Sequence, residues 1–288
     1  MTSIALCTLI LNEIEWLEKL YSQHKNWPGL EKWVFVESAD RVYAETNHEM
    51  VSEEGLSTDG TTEFLEELSR KDSRIVHIKH GISSNPDSAQ GKCESRQRYL
   101  DEIESVRPKF FIVVDADEFY TFAAQEQVIE KMEAQTNAKG FVFKHRDIWR
   151  PQSVASESLF KYEVVGGFWD IPYCRGWRWF PGLRYSVNHN TPDHCGKLLD
   201  HRLARFDKFI DSPEFIHMGF ACNHKIRAAK NRYYEARGES TDPKRKWYCD
   251  SRRAFETWKP GDKLPREAKV LVYDGDIPEC YRTDNDNA

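Results

Sequence analysis

The sequence predicts an α/β fold, a mostly parallel sheet flanked by helices, and three observations predict it. Apolar runs of strand length recur through the first 120 residues, and stretches of helical periodicity separate them. The composition also suffices to cover a sheet on both faces. Of 288 residues 40% are hydrophobic and 13% aromatic, which excludes a disordered chain.

Residues 3–10 form a near-continuous apolar run, as a strand buried on both faces requires. Residues 12–25 carry Ile14, Leu17 and Tyr21 on one helical face, and Asn26-Trp27-Pro28-Gly29 ends that helix. Residues 32–36 are the second strand. A helix over 61–70 follows Asp59-Gly60, with Phe64, Leu65 and Leu68 inward and Asp59 or Thr61 available as N-cap. Residues 74–79 are the third strand. A long polar helix spans 88–106 on a stripe of Tyr99, Leu100 and Ile103. The fourth strand, 109–114, ends at Asp115.

The second half reads differently. Short strand-like pieces occur at 140–143, 162–165 and 177–180 among many aromatics, and a basic helix is expected over 225–237. The tail from 274 looks frayed. Residues 141–260 hold 22 Lys and Arg against 14 Asp and Glu, a net of +8 in a chain of total charge −6, so the remainder carries −14. Such asymmetry suits an anion held by the later segment, or a merely solvated surface.

No stretch approaches the roughly 18 consecutive apolar residues of a membrane span, and the N-terminus lacks the basic flank of a signal peptide. Seven scattered Cys without a Cys-x-x-Cys pair read as reduced thiols, which points to the cytoplasm.

In open α/β sheets ligands lie outside the carboxyl ends of the strands. That directs attention to Leu11-Asn12-Glu13, Glu37-Ser38-Ala39-Asp40, His80-Gly81 and Asp115-Ala116-Asp117. The last delivers two carboxylates one residue apart at a strand end, followed by Glu118. Such a pair is costly unless a cation neutralises it, and an all-oxygen donor set suits Mn²⁺ or Mg²⁺ clamping a diphosphate. The alternative is that these carboxylates cap the next helix. The turn after strand one has no Gly-x-Gly-x-x-Gly, and no phosphate-binding Gly-x-x-x-x-Gly-Lys exists, which argues against NAD enzymes and P-loop kinases.

Leu11-Asn12-Glu13, Ser57-Thr58-Asp59-Gly60-Thr61 and Asp115-Ala116-Asp117-Glu118-Phe119, in this order, resemble the motifs of family-2-type glycosyltransferases of the GT-A fold. The resemblance covers about the first 120 residues. It implies a nucleotide sugar, UDP-linked in the family's usual form, lying across the strand ends. Thr8, Asn12 and Glu13 would line the nucleoside pocket, with Glu37 at the position after strand two. Arg96 would reach the donor phosphate, Asp115 the ribose, sugar or metal, and Asp117 the metal. His217 in Phe215-Ile216-His217-Met218-Gly219-Phe220 resembles the late His-x-Gly motif that supplies a further metal ligand. One departure is plain: residues 39–56 separate Glu37 from Ser57-Thr58-Asp59-Gly60, so Asp59 is read as a helix cap.

Residues 1–120 are accordingly read as the nucleotide-sugar half, 121–273 as an aromatic-rich acceptor half of the same domain, and 274–288 as a tail. The base that deprotonates the acceptor is sought among Asp193, Asp170 and His189. Trp169, Trp177 and Trp179 are an acceptor platform or core. The chain also loosely resembles phage-type transferases that modify hydroxymethylated pyrimidines in DNA. Its basic stretches, 225–237, Lys244-Arg245-Lys246 and Arg252-Arg253, suit double-stranded DNA as acceptor and a host cytoplasm as its place. A cell-surface or capsular glycan is the rival acceptor. A nucleotidyltransferase and a non-enzymatic binding module are the readings of other classes.

Overall fold

The computed structural model describes residues 2–149, 159–165, 173–199, 203–204, 213–221, 224–238, 241, 259, 262 and 269–282. Four strands alternate with helices through the first half: β1 (Ile4–Ile10), α1 (Ile14–His24), β2 (Leu30–Ala39), α2 (Arg41–Thr46), α3 (Thr61–Lys71), β3 (Ile75–Ile82), α4 (Ser88–Ile103) and β4 (Phe110–Val113). They pair in parallel in the order β3-β2-β1-β4, with β1 in the middle. The expected α/β class is observed.

Side chains alternate faces along a strand, so β1 feeds two cores. Ile4, Leu6 and Ile10 pack with Trp16, Leu17 and Leu20 of α1 and Leu65 and Leu68 of α3. Ala5 and Cys7 pack on the other face with Cys93, Tyr99, Leu100 and Ile103 of α4.

The second half continues the same sheet with mixed polarity. Its elements are β5 (Glu118–Phe119), α5 (Phe122–Ala134), β6 (Gly140–Trp149), β7 (Tyr162–Val165), β8 (Tyr173–Arg178), β9 (Leu183–Arg184), β10 (Asp193–His194), β11 (Lys197–Leu198), β12 (Leu203–Ala204), β13 (Glu214–Phe220), α6 (His224–Ala236) and β14 (Lys269–Val272). Strand β8 joins the parallel block antiparallel to β4, and β6, β7 and β14 follow it outward. Strand β13 runs parallel to β6 and antiparallel to β5, which sets His217 opposite both Asp147 and Glu118.

One helix carried no sign in the sequence, and one expectation needs correction. Helix α5 was not signalled by the pattern, because its buried face holds only Ala124, Gln125, Val128 and Met132. The tail is not frayed at 279–281. Glu279 accepts from Phe122 N at 3.1 Å and Gln23 Nε2 at 2.6 Å, and Tyr281 packs on Phe119. The described cysteines, Cys7, Cys93, Cys174, Cys195 and Cys280, are free thiols. No helix among the described residues is long and apolar enough to cross a membrane.

Candidate functional site

A cleft of about 390 Å³ opens at the carboxyl ends of β1, β2 and β4, lined also by α6 and by His189 and Asn190. Its position follows from the parallel block, which stops its strands on one edge. Glu13, Asp40, Arg96, Asp115, Asp117, Asp147, Arg175, His189, His217 and Lys230 contribute its ionisable groups, together with Lys92 and Glu118.

The β1–α1 turn is rigid. Asn12 adopts a left-handed backbone (φ 56°), its Oδ1 accepts from Thr58 N at 2.9 Å and its Nδ2 donates to Met50 O at 2.5 Å. Asp59 accepts from Ile14 N at 3.1 Å and Thr61 N at 3.0 Å, so one carboxylate caps the starts of α1 and α3. Thr61 Oγ1 accepts from Glu13 N at 3.0 Å. The 57–62 segment, displaced in sequence, still braces the turn that carries Glu13.

Thr8, Asn12 and Glu37 do not line the cleft. Thr8 is fully buried and accepts from Trp33 Nε1 at 3.0 Å, because residue 8 points to the α1 face of the sheet. Glu37 is fully buried as well. It accepts from Ser57 N at 2.8 Å and Thr62 Oγ1 at 2.6 Å, and pairs with His77 Nε2 at 2.8 Å. Burial would raise its pKa, but the hydrogen bonds from His77, Thr62 and Ser57 outweigh that and lower it to about 2. Asp40 stands in the cleft instead. Its Oδ1 caps α2 through Val42 N at 3.0 Å, and its Oδ2 is buried without a hydrogen-bond partner among the described residues.

Asp115 and Asp117 part company at the end of β4. Asp115 turns toward Arg175 of β8, whose Nη2 is 2.7 Å from its Oδ2, while Arg96 Nη2 stands 4.0 Å from its Oδ1. Arg175 also bonds Glu118. Burial pushes the Asp115 carboxyl up, yet the two guanidiniums hold it below the usual range. Glu118 is raised to about 7, chiefly by burial. Arg175 was missed in the sequence, since only the insertion of β8 beside β4 brings it there.

Asp117 faces His217 and Lys230. His217 Nε2 lies 3.6 Å from Asp117 Oδ2, and Lys230 Nζ lies 3.7 Å from the same oxygen and 3.6 Å from Glu13 Oε1. Glu13 is raised to about 8 by burial, with Lys230 opposing and Asp117 adding to the shift. Its Oε2 is buried without a hydrogen-bond partner among the described residues. His217 Nδ1 lies 2.5 Å from Asp147 Oδ1. Burial would lower the His217 pKa, but the carboxylates of Asp117 and Asp147 hold it up at about 9. Gly219 makes this approach possible. A Cβ there would stand 2.6 Å from His217 Nε2 and 3.3 Å from Asp117 Oδ2.

Of the expected metal trio, Asp117 and His217 face each other, while Asp115 is turned toward Arg175. Among the described residues no three His, Cys, Asp or Glu side chains form a metal-holding group, since Asp115 is neutralised by Arg175. Asp117 and His217 still fit a hard divalent cation. Such ions are commonly held by one or two protein ligands plus substrate phosphates.

Of the base candidates, Asp193 is buried away from the cleft. It accepts from Ser186 N at 2.9 Å, Ser186 Oγ at 2.8 Å and Gly196 N at 3.1 Å, organising a turn. Asp170 lies outside the described residues, as do Trp169, Lys244-Arg245-Lys246 and Arg252-Arg253. His189 lines the cleft, and its carbonyl accepts from Arg96 Nη1 at 2.7 Å. Burial and then the charges of Lys92, Arg96 and Arg237 lower its pKa to about 3, so its ring is neutral. Trp177 is fully buried core and Trp179 packs on the same cluster, whereas Tyr173 is the cleft aromatic that stands 41% exposed.

No family model and no curated protein matches the chain. Among solved structures it is similar to S. aureus TarS 1-349, at 12% identity and TM-score 0.42 over 88% of this chain and 70% of that one. A longer S. aureus TarS gives 12% and 0.30 over 52% of this chain, which spans only 22% of that one. The mannosyltransferase PcManGT from Pyrobaculum calidifontis, in complex with GDP-Man and Mn²⁺, gives 12% and 0.40 over 91% and 65%. At such identities and TM-scores the likeness is remote.

Proposed function

We propose that this chain is a glycosyltransferase that moves a sugar from a nucleotide-sugar donor to a hydroxyl acceptor with the help of a divalent metal. One observation carries the reading. Asp117 and His217, a hundred positions apart in sequence, converge on a gap kept open by Gly219, in a cleft at the carboxyl edge of a parallel sheet. Asp117 and His217 would hold Mn²⁺ or Mg²⁺, which when bound neutralises the charge gathering on the departing diphosphate.

The remaining groups divide the work. Lys230 and Arg96 offer cations to the donor phosphates, and Lys92 stands on the same rim. Asp115, kept ionised and oriented by Arg175, accepts from hydroxyls of the ribose or the transferred sugar. Asp40 Oδ2 accepts an N–H of the nucleobase. His189 takes the acceptor proton. An anionic donor beside Lys92 and Arg96 offsets the charges that depress its pKa, which raises it toward a useful base.

Tyr173, Tyr234, His189 and Asn190 also line the cleft, and aromatic and neutral polar groups of this kind suit a glycan hydroxyl. The basic character of α6 is partly spent inside the protein: Arg232 donates to Asn47 at 2.8 Å and Glu49 at 2.6 Å, and Lys230 faces Glu13 and Asp117. Duplex DNA stays the second reading, supported by the +8 of residues 141–260.

A panel of UDP- and GDP-sugars with Mn²⁺ should contain one donor that raises the melting temperature, as ligand binding to the native state requires. Its hydrolysis or transfer should fall by at least about a hundredfold in Asp117→Ala and in EDTA. Undiminished turnover in both would remove the metal from the reading. Salt-sensitive binding to duplex DNA at low ionic strength would favour the DNA acceptor over the glycan.

A further inference from the structure

We propose that Asp147, buttressed by His145, is the positioning residue that fixes the His217 ring for metal ligation. This rests on the metal-dependent reading above and deepens it. Two buried side chains, His145 and Asp147, and the partly exposed His217 form one line. His145 Nε2 is 3.0 Å from Asp147 Oδ2, Asp147 Oδ1 is 2.5 Å from His217 Nδ1, and His217 Nε2 is 3.6 Å from Asp117 Oδ2.

The sheet builds this line. Strands β6 and β13 pair in parallel with Phe215 opposite His145 and His217 opposite Asp147, so the two histidines reach the same carboxylate from neighbouring strands. Asp147 is 2% exposed, and a buried carboxylate must have its oxygens occupied. Both are, one by each histidine. His145 is itself held, tilted on Tyr173 at 4.6 Å and stacked on Phe215 at 5.8 Å between ring centroids.

The chemistry follows from the geometry. An imidazole that donates Nδ1–H to a carboxylate is locked in orientation, and a metal ion would displace the proton of Nε2 and take its lone pair. Here Nε2 points across the space beside Gly219 toward Asp117. Asp147 lines the cleft, but each of its carboxylate oxygens is engaged by a histidine. It acts through His217, and His145 keeps Asp147 from turning away.

A double-mutant cycle tests this. Mn²⁺ alone is titrated into each full-length protein, and the free ion is read by electron paramagnetic resonance. Asp147→Asn keeps the shape and removes the charge, and it should weaken Mn²⁺ binding by about tenfold, the usual effect of losing such a support. In a His217→Ala background the same substitution should change the affinity by less than about twofold, since the residue through which it acts is gone. His145→Gln, which keeps a donor, should bind Mn²⁺ better than His145→Phe. Melting curves identify any variant that fails to fold, and the Asn and Gln variants keep the cycle readable if a harsher change unfolds the protein.

An equal loss in both backgrounds, or no loss in either, overturns the positioning role. A His217→Ala protein that binds Mn²⁺ like the parent overturns the metal assignment together with it. A cycle that behaves as expected in a protein that turns over no nucleotide sugar sustains the positioning role and overturns the transferase reading alone.

Discussion

Gly219 shows how much a single absent methyl decides. Its hydrogen faces the imidazole of His217 and a carboxylate oxygen of Asp117, and a Cβ would meet two ring atoms at 2.6 Å. An alanine there must push the ring off its line with Asp147. Gly219→Ala should therefore keep the fold, measured by circular dichroism and melting, and lose Mn²⁺ affinity and donor turnover by about tenfold or more. Full metal binding in this variant would mean that the His217–Asp117 approach is not the site. The same contrast separates what could be read at this scale. That Asp117, His217 and Arg96 lie in the cleft was legible because their neighbours in sequence carry a pattern. Asp193 misled because an acidic residue near the right place looks the same whether it faces a cleft or closes a turn through Ser186 and Gly196. Arg175 carried no local sign at all.

Between residue and fold, the 57–62 segment acts as a brace for the β1–α1 turn. Glu37 receives Ser57 N, Thr62 Oγ1 and His77, while Asp59 and Thr61 hold the backbone of Ile14 and Glu13. A glutamine at position 37 has one acceptor oxygen where three donors converge. Glu37→Gln should cost about 2–3 kcal/mol in urea unfolding, the price of leaving buried donors unpaired. It should also raise the donor KM, because Glu13 rides on the braced turn. Unchanged stability would show that the three bonds are replaced without loss. The first-half elements were legible because strands buried on both faces read as apolar runs, and α1 and α3 repeat apolar residues at helical spacing. The second half was legible only in pieces. Strand β6 pairs with β7, β8, β12 and β13, and β13 with β5 and β6, so their pairing depends on residues far away in sequence.

At the scale of the whole molecule, two buried groups outside the cleft contribute to how the fold answers acid, and they act in successive ranges. His24 lies among Trp27, Trp33, Phe119 and Tyr120, and its Nε2 accepts from Tyr120 N at 3.1 Å. Burial lowers its pKa to about 3, against an unfolded value of 6.5. Below pH 6.5 the unfolded chain takes up a proton there that the native protein refuses, so stability falls as pH drops toward 3. Glu37 adds a second loss. Its folded pKa of about 2 lies below the ordinary 4.5, so the stability it contributes is present above 4.5 and disappears as pH falls through 2. Of these two groups only His24 changes its contribution between pH 7.5 and 5.5. His24 alone should remove about 1.4 kcal/mol by pH 5.5, one decade below its unfolded pKa. A glutamine can still accept from Tyr120 N but does not titrate. His24→Gln should be less stable than the parent at pH 7.5, because an aromatic ring leaves the core, and should lose about 1.4 kcal/mol less than the parent on going to pH 5.5. Urea unfolding of both proteins at the two pH values measures that difference directly. Parallel losses would show that His24 takes up its proton without unfolding the chain. The segment at stake begins one residue after Glu118, so the loss of His24 neutrality reaches the floor of the cleft as well as the core.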